Sequence, residues 1–353
     1  MARKEIILSI YIATYNRKEI LLRKIKDLLG LKSDEFDIWV LDDCSSDATF
    51  VALNQIEDER LHIIHNTTRQ GVLEDGAMPN WYKLLENVDG LFAFHLNDRD
   101  NINVSKLNEF INFLKIHKDA SGGLCDSFKK IEWYETPVEA LNGIPYKGSH
   151  PTGIVFNMHL YHKIKDRQSI FTKKGSYIHP HDLILGFLSQ YGKMFLYYKI
   201  WELAGQESFA LNKSFLYNKG NAQNAWFAPQ ERMKEYNLFL KSLSSLRFSK
   251  EEKQQKSRQI SKSYLYFCTF NYAYYISDPG QTKHYGIEAI KLRREDYKNE
   301  LNAFLNRSTE ALIRYDLLKS EKEYKKDMTV YFWTIYIGKP VWDLYKKVTN
   351  RKW

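Results

Sequence analysis

The sequence predicts an α/β protein, in which a mostly parallel, doubly wound sheet is followed by a separate helical region. In the N-terminal part, apolar runs of strand length alternate with segments of helical periodicity. This alternation is typical of parallel sheets with helices on both faces. From residue 230 onward the strand pattern stops, and long helical stretches with few Gly or Pro residues follow. We therefore expect two domains, at residues 1–229 and 230–353.

The charge distribution separates the same two regions. The chain has 353 residues and a net charge of +9. Residues 1–229 contain 27 Lys and Arg against 28 Asp and Glu, whereas residues 230–353 contain 25 against 15. The whole basic excess lies in the C-terminal region, which predicts an acidic partner for that region.

The composition favours a protein of a reducing compartment. Its three cysteines, Cys44, Cys125 and Cys268, match no metal-binding or redox spacing. The charged N-terminus does not resemble a signal peptide, and no uncharged apolar stretch is long enough to span a bilayer. We expect a cytoplasmic protein and leave open a peripheral contact with the inner face of the cell membrane.

The strands and helices of the N-terminal region can be placed from apolar runs and their polar ends. Strands are expected at 5–13, 36–41, 61–65, 91–96, 122–128 and 154–156, and helices at 18–29, 48–55, 80–87 and 101–118. Residues 132–149, which contain two Pro and two Gly, are expected to form a loop. A longer polar and aromatic loop region is expected between 201 and 227.

The fourth strand ends in two acids, Asp98 and Asp100, with Arg99 between them. An apolar run bounded by turn signals is typical of a strand buried on both faces. Ligands bind beyond the carboxyl ends of such strands in α/β sheets. Carboxylate oxygens are ligands for Mg²⁺ or Mn²⁺, and either ion can hold a diphosphate. The alternative is a strand that simply ends in a polar turn, because the Asp-x-Asp pattern often occurs by chance.

Four short motifs resemble those of family 2 glycosyltransferases of the bacterial surface-polysaccharide type. They are ATYNR at 13–17, LDDCSSD at 41–47, the spaced residues Asn66, Gly71 and Asn80, and NDRD at 97–100. Their order and spacing carry the resemblance, which covers roughly residues 5–230. It implies the GT-A fold, a Rossmann-like, mostly parallel sheet. Cys44, where Gly or Asn is usual, and Arg99, which interrupts the acid pair, depart from the family pattern.

The resemblance implies a nucleotide-sugar site. Thr14, Tyr15 and Asn16 would line the nucleotide pocket, and Asp43 would accept a hydrogen bond from N3–H of uracil or thymine. The alternative for Asp43 is an acid at a helix N-terminus.

Three further positions follow from the same resemblance. Arg69 would approach the base or a phosphate. Asp98 and Asp100 would hold the ribose and the Mn²⁺ or Mg²⁺ ion that bridges the two phosphates.

The catalytic base is expected at Asp182. The segment from Tyr177 to Leu185 places polar residues before an apolar helix, as does the Glu-Asp pair of the resembled family, with His181 in place of Glu. Inverting transfer needs one carboxylate to deprotonate the acceptor hydroxyl. The alternative for Asp182 is a helix-capping acid. His181 is a candidate third metal ligand or acceptor contact, and a structural role is its alternative.

The C-terminal segment 328–353 mixes Trp, Tyr and Phe with lysines. Such a segment suits a membrane interface, with aromatics at headgroup depth and lysines facing anionic lipid. A terminal helix docked on the catalytic domain fits equally well, and a homo-oligomer stays open.

The sequence therefore predicts a metal-dependent, inverting glycosyltransferase. Its donor would be a UDP-sugar, and its acceptor a hydroxyl of a glycan, lipid-linked or not, in capsular, exopolysaccharide or cell-wall synthesis. A nucleotidyltransferase is the alternative enzyme, but residues 14–17 lack the expected Gly-rich loop. A non-catalytic partner subunit with a degenerate site is another alternative. A nucleic-acid-binding protein ranks last, because the basic residues form no known reader motif.

Overall fold

The computed structural model describes residues 5–70, 79–147, 150–172, 179–203 and 225–349, with side chains up to residue 338 in the last range. Gly71 and most of the expected 201–227 loop lie outside these residues. The chain divides into two compact units, at Met1–Lys213 and Ser214–Trp353. The domain boundary after residue 229 stays a prediction.

The first unit is built on an eight-stranded sheet, whose strands are β1 (Leu8–Thr14), β2 (Phe36–Asp42), β3 (Leu61–His65), β4 (Phe92–His95), β6 (Gly122–Asp126), β7 (Glu132–Tyr134), β8 (Ile154–Asn157) and β9 (Met194–Tyr198). Their order in the sheet is β3-β2-β1-β4-β8-β6-β9-β7. A separate two-stranded sheet pairs β5 (Asn101–Ile102) with β10 (Trp201–Glu202).

The strands that carry the predicted motifs form the parallel half of the large sheet. β1 pairs in parallel with both β2 and β4, and β2 pairs in parallel with β3. All residues of β1 except one are buried, as expected for a strand covered by helices on both faces. β8 runs antiparallel between β4 and β6. The predicted mostly parallel α/β fold is confirmed.

Helices cover the sheet and connect its strands. They are α1 (Lys18–Leu29), α2 (Thr49–Leu53), α3 (Pro79–Leu85), α4 (Val104–Ile116), α5 (Pro137–Gly143), α6 (Met158–Tyr161), α7 (Gln168–Thr172) and α8 (Pro180–Leu188). α2 is shorter than expected at its start because Ala48 has a left-handed backbone, with φ of 63°.

The expected loop over residues 132–149 is wrong for its first half. This stretch forms β7 and α5. α5 begins with a capping box, in which Thr136 and Glu139 each accept from the backbone N–H of the other. Pro137 at the first helical turn suits this start, since its missing N–H has no partner there in any helix. Pro137 therefore marks a helix start and not a loop.

The second unit is helical. Its helices are α9 (Pro229–Ser245), α10 (Lys250–Tyr266), α11 (Tyr272–Ser277), α12 (Pro279–Tyr285), α13 (Arg294–Arg314) and α14 (Glu321–Thr349), with a π-helical turn at Phe267–Asn271. Tyr236, Tyr264 and Phe304 pack in its interior. Within the described residues, no helix is both long and apolar enough to cross a membrane.

Candidate active site

The carboxyl ends of β1, β2 and β4 bring the first two motifs and the acid pair to one edge of the sheet. Parallel strands end at the same edge, which is where α/β sheets bind ligands. The backbone N–H of Asp43 donates to the carbonyl of Thr14 over 3.0 Å, and the Thr14 hydroxyl donates to Asp98 over 3.2 Å. The predicted residues of three strands are therefore neighbours.

Asp43 is buried and held by the segment that follows β3. Its Oδ1 atom accepts from Asn66 Nδ2 over 2.8 Å and from the backbone N–H of Gln70 over 2.9 Å. Asn66 also donates to Asn80 Oδ1 and accepts from Lys83 Nζ, each over 2.8 Å. Asn66, a residue of the third motif, thus orients the Asp43 carboxylate, and Asn80 of the same motif holds Asn66.

Hydrogen bonds of Asn16 join the loop after β1 to the loop after β2. The Asn16 backbone N–H donates to Ser45 Oγ, and Asn16 Oδ1 accepts from the backbone N–H of Ser46, both over 2.8 Å. Cys44 has a φ of 60°, a left-handed conformation that favours Gly or Asn. The backbone thus explains why a small residue is usual where Cys44 stands.

Tyr15 and Arg69 also meet at this edge. The Arg69 guanidinium lies 3.8 Å from the centroid of the Tyr15 ring, within the range of a cation–π contact. Tyr15 is half-buried and Arg69 is exposed. Arg69 directly precedes Gln70, whose backbone N–H donates to Asp43, so the pair lies near that carboxylate.

Asp98 forms an ion pair with one side chain and accepts a hydrogen bond from another. Its Oδ2 atom lies 2.9 Å from Arg17 Nε and also accepts from Thr14. Burial raises the pKa of Asp98, and Arg17 and Lys24 oppose this rise. This oxygen is therefore engaged by Thr14 and Arg17, and the roles of Asp98 in donor and metal binding stay predictions.

Lys24 is a site residue that the sequence reasoning missed. It lies on the buried face of α1 with Leu21, Ile25 and Leu28. Its Nζ donates to the carbonyls of Asn97, over 2.8 Å, and Asp98. Burial lowers its pKa to about 8, against the raising effect of nearby acids. A lysine at a core-facing helical position was the available signal, because lysine is almost never fully buried unless paired.

Asp100 is the acid with an uncommitted oxygen. Its Oδ2 atom accepts from Thr152 Oγ1 over 2.5 Å and from Asn97 Nδ2 over 3.0 Å. Its Oδ1 atom is buried and has no hydrogen-bond partner within the part of the chain that the structure describes. A buried carboxylate oxygen without a partner is costly, and a divalent cation would satisfy it. Asp100 therefore fits a metal ligand.

The described side chains alone do not complete the coordination shell of such an ion. Among the described residues, no group of three or more His, Cys, Asp or Glu side chains is arranged to hold a metal. Mg²⁺ and similar ions are usually bound by one or two carboxylates, with substrate phosphates and water completing the shell. The site fits that pattern, in which the donor itself supplies ligands.

His150 lies beside Asp100 and was not singled out from the sequence. Its Nε2 atom is 3.8 Å from Asp100 Oδ2, and burial lowers its pKa, an effect that Asp100 opposes. Its ring stacks on Trp201, with centroids 4.9 Å apart and planes 14° apart. Gly153, with φ of 95°, allows this packing, since a Cβ there would lie 2.4 Å from Trp201 Nε1.

Asp182 and His181 occupy the first turn of α8. Asp182 is buried, and its Oδ1 atom accepts from the backbone N–H of Tyr146 over 2.8 Å. His181 Nε2 lies 3.0 Å from the Tyr11 hydroxyl, and its ring is 4.8 Å from that of His95. α8 therefore begins against β1 and β4, close to the site edge.

His181 lies in an aromatic cluster with Tyr11, Trp81, His95 and Phe156. Burial lowers its pKa, with His95 and His179 acting in the same direction. These contacts fit the structural alternative. The described residues do not assemble His181 into a ligand group with the acid pair, and its role as a metal ligand stays a prediction.

Comparison with known proteins agrees with the resemblance. Residues 9–74 match the family model described as glycosyl transferase family 2. This stretch spans β1, β2 and β3 and contains Thr14, Tyr15, Asn16, Asp43 and Arg69. A search of curated proteins found no sequence match.

Solved structures share the fold. S. aureus TarS 1–349 aligns with a TM-score of 0.59 at 14% identity, covering 94% of this chain and 92% of that one. The same TarS segment in complex with UDP-GlcNAc aligns with a TM-score of 0.59 at 15% identity and the same coverage.

The longer TarS chain aligns with a TM-score of 0.56 at 14% identity, over 92% of this chain and 54% of that one. At these identities the likeness establishes the fold, a GT-A-like sheet with a helical C-terminal region. Together with the family match over residues 9–74, it confirms the expected resemblance to family 2 glycosyltransferases and the predicted enzyme class, a glycosyltransferase.

Proposed function

We propose that the protein transfers a sugar from a UDP-sugar to a hydroxyl of a glycan acceptor, with inversion, in surface or cell-wall polysaccharide synthesis. The observation that carries the proposal is the buried, oriented carboxylate of Asp43 at the edge where β1 and β2 end. TarS, whose fold is similar, has been crystallised with UDP and with UDP-GlcNAc. UDP-sugars are therefore the first donor class to test.

The uracil base would bind at Asp43. Asn66 and Gln70 donate to Oδ1 and orient the carboxylate, and we assign this carboxylate to accept from N3–H of the base. Cytosine has an acceptor at N3, so a carboxylate selects against it. The Tyr15–Arg69 pair would flank the base or approach a phosphate, and Thr14 and Asn16 would shape the loop around the nucleotide.

The diphosphate would lie at the loop after β4 that carries Asp98 and Asp100. Asp98, held by Thr14 and Arg17, would contact the ribose side of the donor. Asp100 would hold a Mn²⁺ or Mg²⁺ ion through its uncommitted oxygen. Such an ion, when bound, supplies charge stabilisation for the departing diphosphate.

The acceptor hydroxyl would be deprotonated by Asp182. A buried carboxylate at the first turn of α8, oriented by the Tyr146 N–H, is suited to hold the proton as the oxygen attacks the anomeric carbon. Attack from the face opposite the diphosphate inverts the configuration at that carbon.

The uracil assignment predicts a change of base preference in Asp43→Asn. Asn keeps an oxygen for the Asn66 and Gln70 donors but replaces the other oxygen with a donor. We expect UDP affinity to fall by about 1.5–3 kcal/mol, the scale of a hydrogen bond to a charged group, while CDP affinity rises. Calorimetry with UDP and CDP measures both, with Asp47→Asn in the same loop as the control. Equal binding of UDP and CDP by the wild type would contradict the assignment.

We propose further that α14 contacts an anionic membrane. Val330 and Ile337, seven positions apart and so near one helical face, are 58% and 63% exposed. The C-terminal region also carries the basic excess of 25 residues against 15. Lys and Arg near anionic lipid contribute about 1 kcal/mol each. The proposal places the enzyme at the inner face of the cell membrane, with a lipid-linked acceptor.

Vesicle sedimentation tests this contact. Met328 and Phe332 are fully buried, so a truncation that keeps residues up to 338 retains these core side chains. We expect the full chain to bind anionic vesicles at low salt and a 1–338 chain, or a Val330→Ser/Ile337→Ser variant, to bind less. A full chain that ignores anionic vesicles at low salt would contradict the membrane contact. Self-association through the same face would point to a homo-oligomer instead.

A further inference from the structure

We propose that Lys24 is a positioning residue of the site, whose ammonium group holds the turn at residues 97–100 in the shape that presents Asp98 and Asp100 to the donor. The consequence for binding rests on the proposed function, because the donor diphosphate is the ligand assigned to this turn. Lys24 belongs to none of the four motifs, which therefore assign it no role.

Lys24 bonds to the backbone of a β-turn that follows β4. The backbone N–H of Asp100 donates to the Asn97 carbonyl over 3.1 Å, which is the hydrogen bond that closes such a turn. Lys24 Nζ donates to the same carbonyl over 2.8 Å and also to the carbonyl of Asp98. One ammonium group therefore joins two successive peptide groups of the turn to α1.

The first and last residues of the turn are held from a different side. The backbone N–H of Asn97 donates to Thr152 Oγ1 over 3.0 Å, and the Thr152 hydroxyl donates to Asp100 Oδ2. Asn97 Nδ2 donates to the same Asp100 oxygen over 3.0 Å. These bonds reach Asn97 and Asp100, whereas the Asp98 carbonyl between them is bonded by Lys24.

A second cation of the same helix acts on the side chain of Asp98. Arg17 is the N-cap residue of α1 and lies seven positions before Lys24, so the two lie near one helical face. Arg17 Nε is 2.9 Å from Asp98 Oδ2. α1 therefore bonds to Asp98 twice, through Arg17 at the carboxylate and through Lys24 at the carbonyl.

The buried position of Lys24 separates this role from simple packing. Lys24 is 4% exposed and shares the buried face of α1 with apolar residues such as Leu21 and Ile25. Burial of a charge costs free energy unless the charge is paired and hydrogen-bonded, so an apolar residue would fill this position at lower cost. The carbonyls of the turn are the contacts that offset this cost. The ammonium group therefore stabilises the turn more than it stabilises the packing of α1.

Lys256 provides a matched control. Lys24 and Lys256 are the two buried lysines among the residues that the structure describes, and Lys256 is 1% exposed. Lys256 lies in α10, in the second unit. Substitution by Met keeps the length of either side chain and removes its charged nitrogen. A loss of stability is expected in both variants, but an effect on the 97–100 turn is expected only in Lys24→Met.

Hydrogen exchange of the full chain without ligand, followed by mass spectrometry, measures the turn directly. We expect faster exchange at residues 97–100 in Lys24→Met and wild-type exchange there in Lys256→Met. Thermal unfolding establishes that each variant is folded. Where Lys24→Met does not fold, Lys24→Gln replaces it, since its amide can still donate, and the same changes are expected at smaller size.

Calorimetry with uridine, and with UDP and Mn²⁺, measures the consequence for binding. UDP affinity should fall by about 10-fold in Lys24→Met, because binding must then order the turn. Uridine lacks the diphosphate and should bind Lys24→Met as it binds the wild type. Both ligands should bind Lys256→Met with wild-type affinity.

Unchanged exchange at residues 97–100 in Lys24→Met would overturn the proposal. Equal losses of uridine and UDP affinity would also overturn it, because they would indicate a general structural role. Faster exchange with full UDP affinity would overturn the link between the turn and the diphosphate. A wild-type protein that binds neither uridine nor UDP, while exchange at the turn still depends on Lys24, would instead contradict the proposed function.

Discussion

Asp182→Asn is expected to lower turnover by about 10²–10⁴-fold, the usual contribution of a positioned general base. Asn keeps an oxygen to accept from the Tyr146 N–H, so the fold and the donor affinity should be unchanged. The reason is chemical, because an amide cannot take the proton of the acceptor hydroxyl. Steady-state rates with a UDP-sugar and acceptor, beside UDP affinity by calorimetry, measure the two effects separately.

Glu139→Gln is the matched control for this variant. Glu139 is an acid in the first turn of α5, where it completes a capping box, so its replacement removes a helix-terminal charge without removing a base. Its turnover should match the wild type. If Asp182→Asn also retains its turnover, Asp182 is a capping residue and another group takes the proton. A product with retained anomeric configuration would rule out single displacement.

Asp100→Asn is expected to abolish metal-dependent binding of UDP and, with it, sugar transfer. The amide can still accept from Thr152 and Asn97, but it loses the charge that holds a divalent cation. Binding of UDP with Mn²⁺, and with EDTA, should become equal in the variant. Asp119→Asn, which removes an exposed acid paired with Lys193, should behave as the wild type. Full transfer by the wild type in EDTA would refute metal dependence.

Much of the site edge could be predicted from the sequence because it follows from strand order. Polar residues directly after β1, β2 and β4 must meet when these strands are parallel neighbours. The contact from Thr14 to Asp98 and the one from Asp43 to Thr14 are consequences of that register. The left-handed backbone at Cys44 likewise accounts for the Gly or Asn that is usual at this position in the resembled family.

Other site features depend on packing that no local pattern encodes. Lys24 donates to the loop that carries Asp98 and Asp100. The periodicity of α1 predicts that one face of the helix is buried, but it does not predict what that face contacts. His150 lies beside Asp100 although fifty positions separate them in the sequence, because the turn before β8 passes close to Trp201. The ion pair between Asp98 and Arg17 could not be predicted from the spacing of the two acids. His181, predicted from its neighbour Asp182, lies in an aromatic cluster whose members come from four elements or loops.

Release of UDP from a UDP-sugar tests the central claim most directly. The wild-type protein is incubated with a panel of UDP-sugars and Mn²⁺, with and without glycan acceptors, and free UDP is measured. We predict UDP formation from at least one UDP-sugar, its stimulation by acceptor, and its loss in Asp100→Asn and Asp182→Asn. Release of pyrophosphate from a nucleoside triphosphate, with no UDP formed from any UDP-sugar, would contradict the account and favour a nucleotidyltransferase.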